Sequence, residues 1–501
     1  MNLRILCLLA LLPICIQAQH ISYTQPEPED SHKTDFEIIG RISGNTLVFK
    51  NNRSDNAISI YGPAMNLVQR VPLTFLRDSY LNVDFIQYTD FFYMLCEYQR
   101  KNIIYLFIYK MDGQGQIMGE PMELDTTMVS GTMNNKIYTN IVSEDKEHFM
   151  VMKINTKNTR TFTFTTFLYN KNLELQDRHR LPMQVQDHAD LFTNFELDNE
   201  GQLVFTRYSR TGSGEYVTHI SFVTKGPQAD TFAIRDIGAN DRILDELKVK
   251  VDNYNNRYLL TAFFYKQRRG NIEGLFTILW DKTTDTKFKE AVSIFSDDLR
   301  TMAKSSESNV KMAFNDYFIK KIVTKKDGGY LIISESEFTT SRGSAFNRYD
   351  YMYGPMNPMD YYSPYSIYSP YSPYNRYGQS SANRYNAENI LVLSFDKSSN
   401  IEWSNVIAKS QYDDEGTNQL SFKTMNTGGE LHFLYNQFEK RTLLLMDQSI
   451  AADGKITRLP TFHSLDKGYS FMPRIGKQIA SNQIVIPCLY KNYLCFAKIE
   501  F

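Results

Sequence analysis

The sequence has few of the residues that carry recognisable chemistry. It contains five cysteines, two tryptophans and eight histidines in 501 residues, and no two histidines have the i, i+2 or i, i+4 spacing of common zinc or copper sites. Lysine and arginine number 55 and aspartate and glutamate 56, so the net charge is −1 and nothing indicates a nucleic-acid-binding surface. We therefore expect no metal ion, no other cofactor and no nucleic-acid partner.

Catalytic motifs are also missing. The sequence has no Gly-x-Ser-x-Gly nucleophile motif, no phosphate-binding glycine loop and no dinucleotide fingerprint. Glycoside cleavage requires two carboxylates at a defined separation, and the acidic cluster Asp413–Glu415 is more typical of a solvated turn. The sequence predicts no catalytic residue and favours a protein that is not an enzyme.

The one long apolar run near the start of the chain is Ile5–Ile16, which follows Arg4 and precedes Gln17 and Ala18. This run is too short to span a bilayer and matches a secretory signal peptide over residues 1–18. An uncleaved anchor is the alternative interpretation. After cleavage, the mature chain of residues 19–501 is predicted to be exported and to have no transmembrane segment.

Three cysteines remain after loss of the signal peptide, too few for a disulfide-stapled fold. A two-residue turn at Lys491–Asn492 would place Cys488 directly opposite Cys495, within reach of a cross-strand disulfide. Two reduced core thiols are an equally weighted alternative. Cys96 lies in the middle of an apolar strand and is predicted to be a small core residue.

What the sequence does contain is a repeated four-stranded unit, clearest over Phe195–Ile234. There, short apolar runs rich in β-branched and aromatic residues alternate with turns such as Asp198–Gly201, a pattern typical of strands and hairpins. Eight such turn-and-strand segments recur along the chain. They are Ser43–Phe49, Thr89–Leu95, Glu144–Val151, Asp198–Phe205, Asn253–Leu260, Lys326–Ile333, Asn426–Phe433 and Ala480–Ile486. The usual spacing of about 45 to 55 residues is that of propeller blades.

The last unit ends without a fourth strand, and the segment Gln19–Thr24 could supply it from the N-terminus. A ring closed in this way has no exposed sheet edge at the join. We predict an all-β protein: a single β-propeller over residues 19–501 with eight four-stranded blades, closed by the N-terminal strand. Seven blades are the alternative, because the first unit is compact.

Two insertions interrupt the repeat. Ser296–Ser305 is predicted to form a short helix capped by Ser296. Trp403 in the following unit is predicted to pack between blades, with stacking on a ligand as the alternative. A loop rich in Tyr, Pro and Ser at 341–386 splits the hairpin of blade six; such a composition cannot build a core. It is either a binding arm or a tolerated expansion at a hairpin tip. Its candidate binding residues are Tyr349, Tyr351, Tyr353, Tyr361, Tyr362, Tyr365, Tyr368, Tyr371, Tyr374 and Tyr377.

The C-terminal part of the chain resembles a group of uncharacterised exported proteins of Bacteroidota. The resemblance rests on three stretches, which are Asn389–Val406, Asn426–Asn436 and Phe471–Phe501. It implies a location in the cell envelope, periplasmic or associated with the outer membrane. It implies no catalytic residue.

The function predicted from the sequence is that of a non-enzymatic binding or scaffold module in the cell envelope. Propellers present loops on two faces of a rigid ring, and function resides in those loops. An envelope protein or a glycan is the expected partner. The alternative is a glycan-binding or glycan-active propeller that uses the Tyr-rich loop and the mouth of the ring.

Overall fold

The structure is a computed structural model. It describes residues 19–27, 34–52, 55–76, 80–131, 136–158, 160–185, 190–210, 217–238, 242–245, 247–267, 270–304, 313–341, 383–414, 417–439, 442–459 and 468–501.

The chain forms an eight-bladed β-propeller, and each blade is an antiparallel sheet. Blade 1 contains Thr34–Ile42, Asn45–Asn52, Asp55–Tyr61 and Leu67–Pro72; blade 2 contains Tyr80–Gln87, Phe91–Arg100, Ile103–Asp112 and Met122–Met128. Blade 3 contains Tyr138–Val142, His148–Asn158, Thr161–Asn170 and Leu175–Gln184; blade 4 contains Leu191–Leu197, Leu203–Arg210, Val217–Lys225 and Ala233–Asp236. The predicted eight blades are thus confirmed, and the alternative of seven is wrong.

The second half of the ring follows the same plan with small additions. Blade 5 contains Ile243–Leu244 and Lys248–Asp252 as a divided first strand, then Arg257–Tyr265, Ile272–Asp281 and Thr286–Ile294. Blade 6 contains Tyr317–Thr324, Tyr330–Ser341, Asn383–Phe395 and Ile401–Ile407, with Gln411–Asp413 added. Blade 7 contains Phe422–Asn426, Glu430–Glu439, Thr442–Ala451 and Ile456–Arg458. Blade 8 contains Tyr469–Phe471 and Lys477–Ala480, then Gln483–Tyr490 and Tyr493–Glu500.

The turns that were predicted from the sequence have a local physical cause. In blade 4, the Asp198 carboxylate accepts hydrogen bonds from the backbone N–H of Glu200 at 3.0 Å and of Gln202 at 2.7 Å. Gly201 has φ +82°, a conformation that a side chain would disfavour. Lys491 and Asn492 both have positive φ, as a two-residue hairpin turn requires.

The hydrophobic core lies between the blades. Each of the eight interfaces between neighbouring blades holds one cluster of buried apolar side chains among the described residues. Between blades 3 and 4, the ring centroid of Phe164 lies 5.1 Å from that of Phe192 and 5.5 Å from that of Phe205. Because each blade buries both of its faces, its strands require apolar residues on both sides.

Trp403 packs between blades 6 and 7, which confirms its predicted role. Its indole N–H donates to the carbonyl oxygen of Ala452 at 3.2 Å. Gly454 has φ +86°, and a Cβ added there would lie 2.7 Å from the indole. The close approach of the indole to this turn therefore depends on glycine.

The N-terminal strand His20–Tyr23 is the outermost strand of blade 8, as predicted. His20 lies opposite Glu500 and Tyr23 lies opposite Ala497. Beyond the strand, the buried Thr24 hydroxyl accepts from the Phe496 N–H at 3.0 Å, and the Thr24 N–H donates to the Phe496 carbonyl at 2.9 Å. The two ends of the chain are thereby joined in one sheet.

The helix between blades 5 and 6 spans Asp297–Ala303 and begins at the predicted cap. The Ser296 hydroxyl accepts from the Leu299 N–H at 3.2 Å, and Leu299 and Ala303 are buried against the core. Across the described residues, no helix has the length and apolar character needed to cross a membrane.

Replacement of Thr24 by alanine is expected to weaken the closure of the ring. The substitution leaves the buried Phe496 N–H without its acceptor, which costs about 1–3 kcal/mol. Thr24→Ser keeps the acceptor oxygen and serves as the matched control. Urea unfolding of both variants checks the prediction, and equal stability of Thr24→Ala and Thr24→Ser would contradict it.

A fully buried ion pair ties blade 6 to the segment that follows it. Lys409 Nζ lies 2.7 Å from Glu335 Oε1, and neither side chain is exposed. Lys409 also donates to the Ala387 carbonyl and the Gln411 side chain, each at 3.0 Å. The Ser421 hydroxyl donates to the other oxygen of Glu335. Burial lowers the pKa of Lys409 and raises that of Glu335, so each charge depends on the other.

Lys409→Met is expected to destabilise the protein by about 3–5 kcal/mol, because it leaves the Glu335 carboxylate buried without a cation. The double variant Lys409→Met/Glu335→Leu removes both charges and should recover most of this loss. Urea titration of both variants gives the free energies of unfolding that test this prediction. A double variant that is less stable than Lys409→Met would show that the two charges are not coupled.

Candidate functional site

The first strands of the blades line the central channel. Successive first strands contact one another around the ring, for example in blades 1 and 2, blades 3 and 4, and blades 8 and 1. Side chains that project from the edges of these strands meet inside the ring. The two faces of the propeller differ: the turns that follow the first strands lie on one face, which we call the turn face.

Four lysines occupy corresponding positions on consecutive first strands. They are Lys250 in blade 5, Lys321 in blade 6, Lys423 in blade 7 and Lys477 in blade 8, which we call the lysine arc. Each lies two or three residues before the first pair of the following hairpin. The repeat therefore brings four cations together along half of the channel wall.

The members of the arc differ in their partners. Lys250 Nζ lies 3.1 Å from the Glu196 carboxylate of blade 4, and Lys321 Nζ donates to the Thr424 hydroxyl at 2.8 Å. Within the described part of the chain, Lys423 and Lys477 have no hydrogen-bond or ion-pair partner. Of these four positive charges, only that of Lys250 is paired directly with a carboxylate among the described residues.

Crowding of the cations shifts their titration. Burial lowers the pKa of Lys423 to about 8, and the neighbouring Lys321 and Lys477 act in the same direction. Burial, together with Lys250, also lowers the pKa of Lys321, although this side chain is reached by solvent. Exposure to water combined with enclosure by protein is what a solvent-filled channel produces.

The opposite part of the wall is acidic. Glu37 in blade 1 and Asp84 in blade 2 lie on the first strands, and Asp84 is 3.8 Å from Lys136 at the start of blade 3. Burial raises the pKa of Glu37 to about 7, while Lys477 opposes this shift. The channel thus has a basic half and an acidic half that meet between blades 8 and 1.

A cavity of about 710 Å³ opens at the turn face. Its lining includes the turns of blades 1, 2 and 3 and the side chains of Arg41, Lys146 and Lys171. Burial lowers the pKa of Lys146, and Lys477 contributes to this shift. Ile479, two residues after Lys477, also lines the cavity, so the cavity lies beside the blade 8 end of the arc.

The Tyr-rich loop predicted from the sequence lies almost entirely outside the described residues. The strands that flank it extend to Ser341 and resume at Asn383, paired opposite each other. All ten candidate tyrosines fall in the interval 342–382, so their role as a binding loop stays a prediction.

The cysteine pair has the predicted register, with Cys488 opposite Cys495. Both thiols are free in the structure and buried, and their Sγ atoms lie 3.0 Å apart. Whether they form a disulfide stays a prediction. Cys96 is buried in the core between blades 1 and 2, as expected.

Other polar residues noted in the sequence have local structural partners. Asp414 forms an ion pair with Arg384 at 2.8 Å on the surface, and Glu415 lies outside the described residues. The buried His432 ring lies 3.0 Å from Asp447. In the described ranges, no three His, Cys, Asp or Glu side chains are grouped as metal ligands.

The lysine arc was missed by the sequence reasoning. A signal for it exists, because aligning the eight units on their first hairpins places these lysines in nearly one column. Lysine is common on strand surfaces, however, and only the ring shows that these four share a channel.

Comparisons with known proteins found only distant similarity to solved structures. No family model and no curated protein matches the sequence. Among solved structures, prolyl oligopeptidase B from Galerina marginata matches with 8% identity and a TM-score of 0.40, over 92% of this chain and 56% of that one. A PL25 ulvan lyase matches with 9% identity and a TM-score of 0.37, over 82% of this chain and 90% of that one. A protein from Lactobacillus plantarum matches with 8% identity and a TM-score of 0.37, over 87% of this chain and 97% of that one. The chain thus spans just over half the length of the oligopeptidase.

Next to the acidic part of the channel wall lies a buried glutamate, Glu97, whose ionisation should make the stability of the protein depend on pH. Glu97 is 2% exposed and accepts from the N–H groups of Ile137 at 2.9 Å and Tyr138 at 3.2 Å. Burial raises its pKa from 4.5 to about 8, against the opposing effect of the Ile137 hydrogen bond. The folded state therefore retains a proton that the unfolded state releases.

Because of Glu97, the free energy of unfolding is expected to fall as the pH rises from 4.5 to about 8. The slope is up to about 1.4 kcal/mol per pH unit. Glu97→Gln cannot ionise and should flatten this part of the profile. The exposed Glu123→Gln is the control. Urea unfolding between pH 5 and pH 8 gives the slopes, and an unchanged profile in Glu97→Gln would contradict the assignment.

Proposed function

We propose that the protein is an exported, non-enzymatic binding module of the cell envelope that holds an anionic ligand in its central channel. The observation that carries this proposal is the lysine arc. The predicted signal peptide at residues 1–18 supports export. The Tyr-rich segment at 341–386, as a docking arm for an envelope protein or a glycan, stays a separate prediction.

The arc is costly unless an anion occupies it. Enclosed cations lose hydration, and each raises the energy of the next. The lowered pKa of Lys423 and of Lys321 shows this cost. A carboxylate or phosphate placed among the amines would remove the repulsion and gain charge-assisted hydrogen bonds.

The position of the arc also favours ligand binding over a purely structural role. Structural lysines of this protein are paired at close range, as Lys409 is with Glu335 and Lys225 is with Asp177. Lys423 and Lys477 face the channel without such a contact among the described residues. The cavity of about 710 Å³ at the turn face adjoins the blade 8 end of the arc through Ile479.

Binding should depend on the arc and on salt. Isothermal titration of the mature chain with citrate and with inorganic phosphate at low ionic strength is expected to show binding. Lys423→Ala should weaken it about tenfold or more, as expected for the loss of one charged hydrogen bond of about 1.5–3 kcal/mol.

Lys289→Ala is the matched control, because Lys289 is exposed on the outermost strand of blade 5. Its affinity should equal that of the wild type, and added salt should weaken binding to all variants. The proposal fails if neither anion binds, or if Lys423→Ala and Lys289→Ala bind equally well.

A further inference from the structure

We propose that the Lys423 amine forms a reversible imine with a carbonyl group of the ligand, which would therefore be a small oxo acid or an aldehyde with a carboxylate or phosphate. This inference rests on the proposed function, because the neighbouring lysines would hold the anionic group. It adds a specific covalent residue and a chemical class of ligand.

The alternation of side chains along the first strand of blade 7 places Lys423 in the arc. Phe422 packs in the core between blades 6 and 7, and Thr424 accepts from Lys321 of blade 6. Met425 packs in the core between blades 7 and 8. Lys423 shares the side of Met425, so it projects toward blade 8 and Lys477.

Lys423 lies between two other cations of the arc. Lys321 and Lys477 each act on it, and no carboxylate is among the causes of its shift. By contrast, Lys477 interacts favourably with Glu37, and Lys250 forms an ion pair with Glu196. The surroundings therefore favour the neutral amine most clearly at Lys423.

The neutral amine is the nucleophile. With a pKa of about 8, about one tenth of the Lys423 side chains are uncharged at pH 7, whereas an ordinary lysine is uncharged several-hundredfold less often. A lysine enclosed beside other cations is a known arrangement for amine catalysis on carbonyl compounds. Lys423 is half-buried, so its side chain is not fully enclosed by the protein.

The reaction needs no oxidant or reductant. The Nζ lone pair attacks the carbonyl carbon, and a proton passes from nitrogen to the carbonyl oxygen to give a carbinolamine. Loss of water then forms the C=N bond, and hydrolysis reverses the process. The ammonium groups of Lys321 and Lys477 would hold the anionic group of the ligand and stabilise negative charge that develops on oxygen.

The test is reductive trapping with glyoxylate as the probe. The mature chain is incubated with glyoxylate and cyanoborohydride at pH 7, and modified lysines are located and quantified by peptide mapping. Lys423 is expected to be modified about tenfold faster than the exposed Lys289. Citrate should slow modification of Lys423 and leave that of Lys289 unchanged.

Two variants distinguish the role of the Lys423 amine as a nucleophile from its role as a positive charge. Lys423→Arg keeps a cation at this position and should lose the fast-modified site. Lys321→Met removes one flanking cation, which should raise the pKa of Lys423 and slow its modification at pH 7. The rate at which Lys289 is modified in both variants controls for general changes in lysine reactivity.

Equal modification of Lys423 and Lys289 in a chain that binds citrate would overturn this inference and leave the proposed function standing. Loss of citrate binding in the wild type would overturn both. If Lys423→Arg does not fold, the wild-type rates with and without citrate still decide the question.

Discussion

The pairing of His20–Tyr23 with the last strand of the chain is the constraint on which the rest of the structure depends. It completes blade 8, and blade 8 then packs against blade 1 through a buried cluster that includes Ile38, Val485 and Phe496. Without this join, the eight sheets would be an open array with exposed edges. With it, first strands from both halves of the chain surround one channel.

The closed ring explains the electrostatics of the channel. Lys477 and Glu37 are separated by most of the chain, yet they interact across the interface between blades 8 and 1. Further along the ring, Lys321 and Lys477 both lower the pKa of Lys423, and no carboxylate is among the causes of this shift. Acidic and basic residues of a nearly neutral chain are thus sorted to opposite sides of one opening.

Ion pairs that are buried within the protein differ from the lysine arc in their surroundings. Pairs such as Lys409 and Glu335 are removed from solvent and satisfied by neighbouring groups, so they act as connections within the protein. In the channel, amines remain accessible and are only partly balanced. This contrast distinguishes a structural ion pair from a candidate binding site, although the residue types are the same.

The sequence by itself determined the repeated strands, the turns, the helix cap at Ser296 and the closing strand, and it favoured eight blades over seven. These features follow from local patterns, since alternation, turn residues and capping act over a few positions. Only the tertiary structure decided which polar residues meet. The four lysines of the arc are spread over residues 250–477, and their convergence depends on the angle of each blade and on closure of the ring. No local pattern encodes that convergence, so the fold was predictable and the candidate site was not.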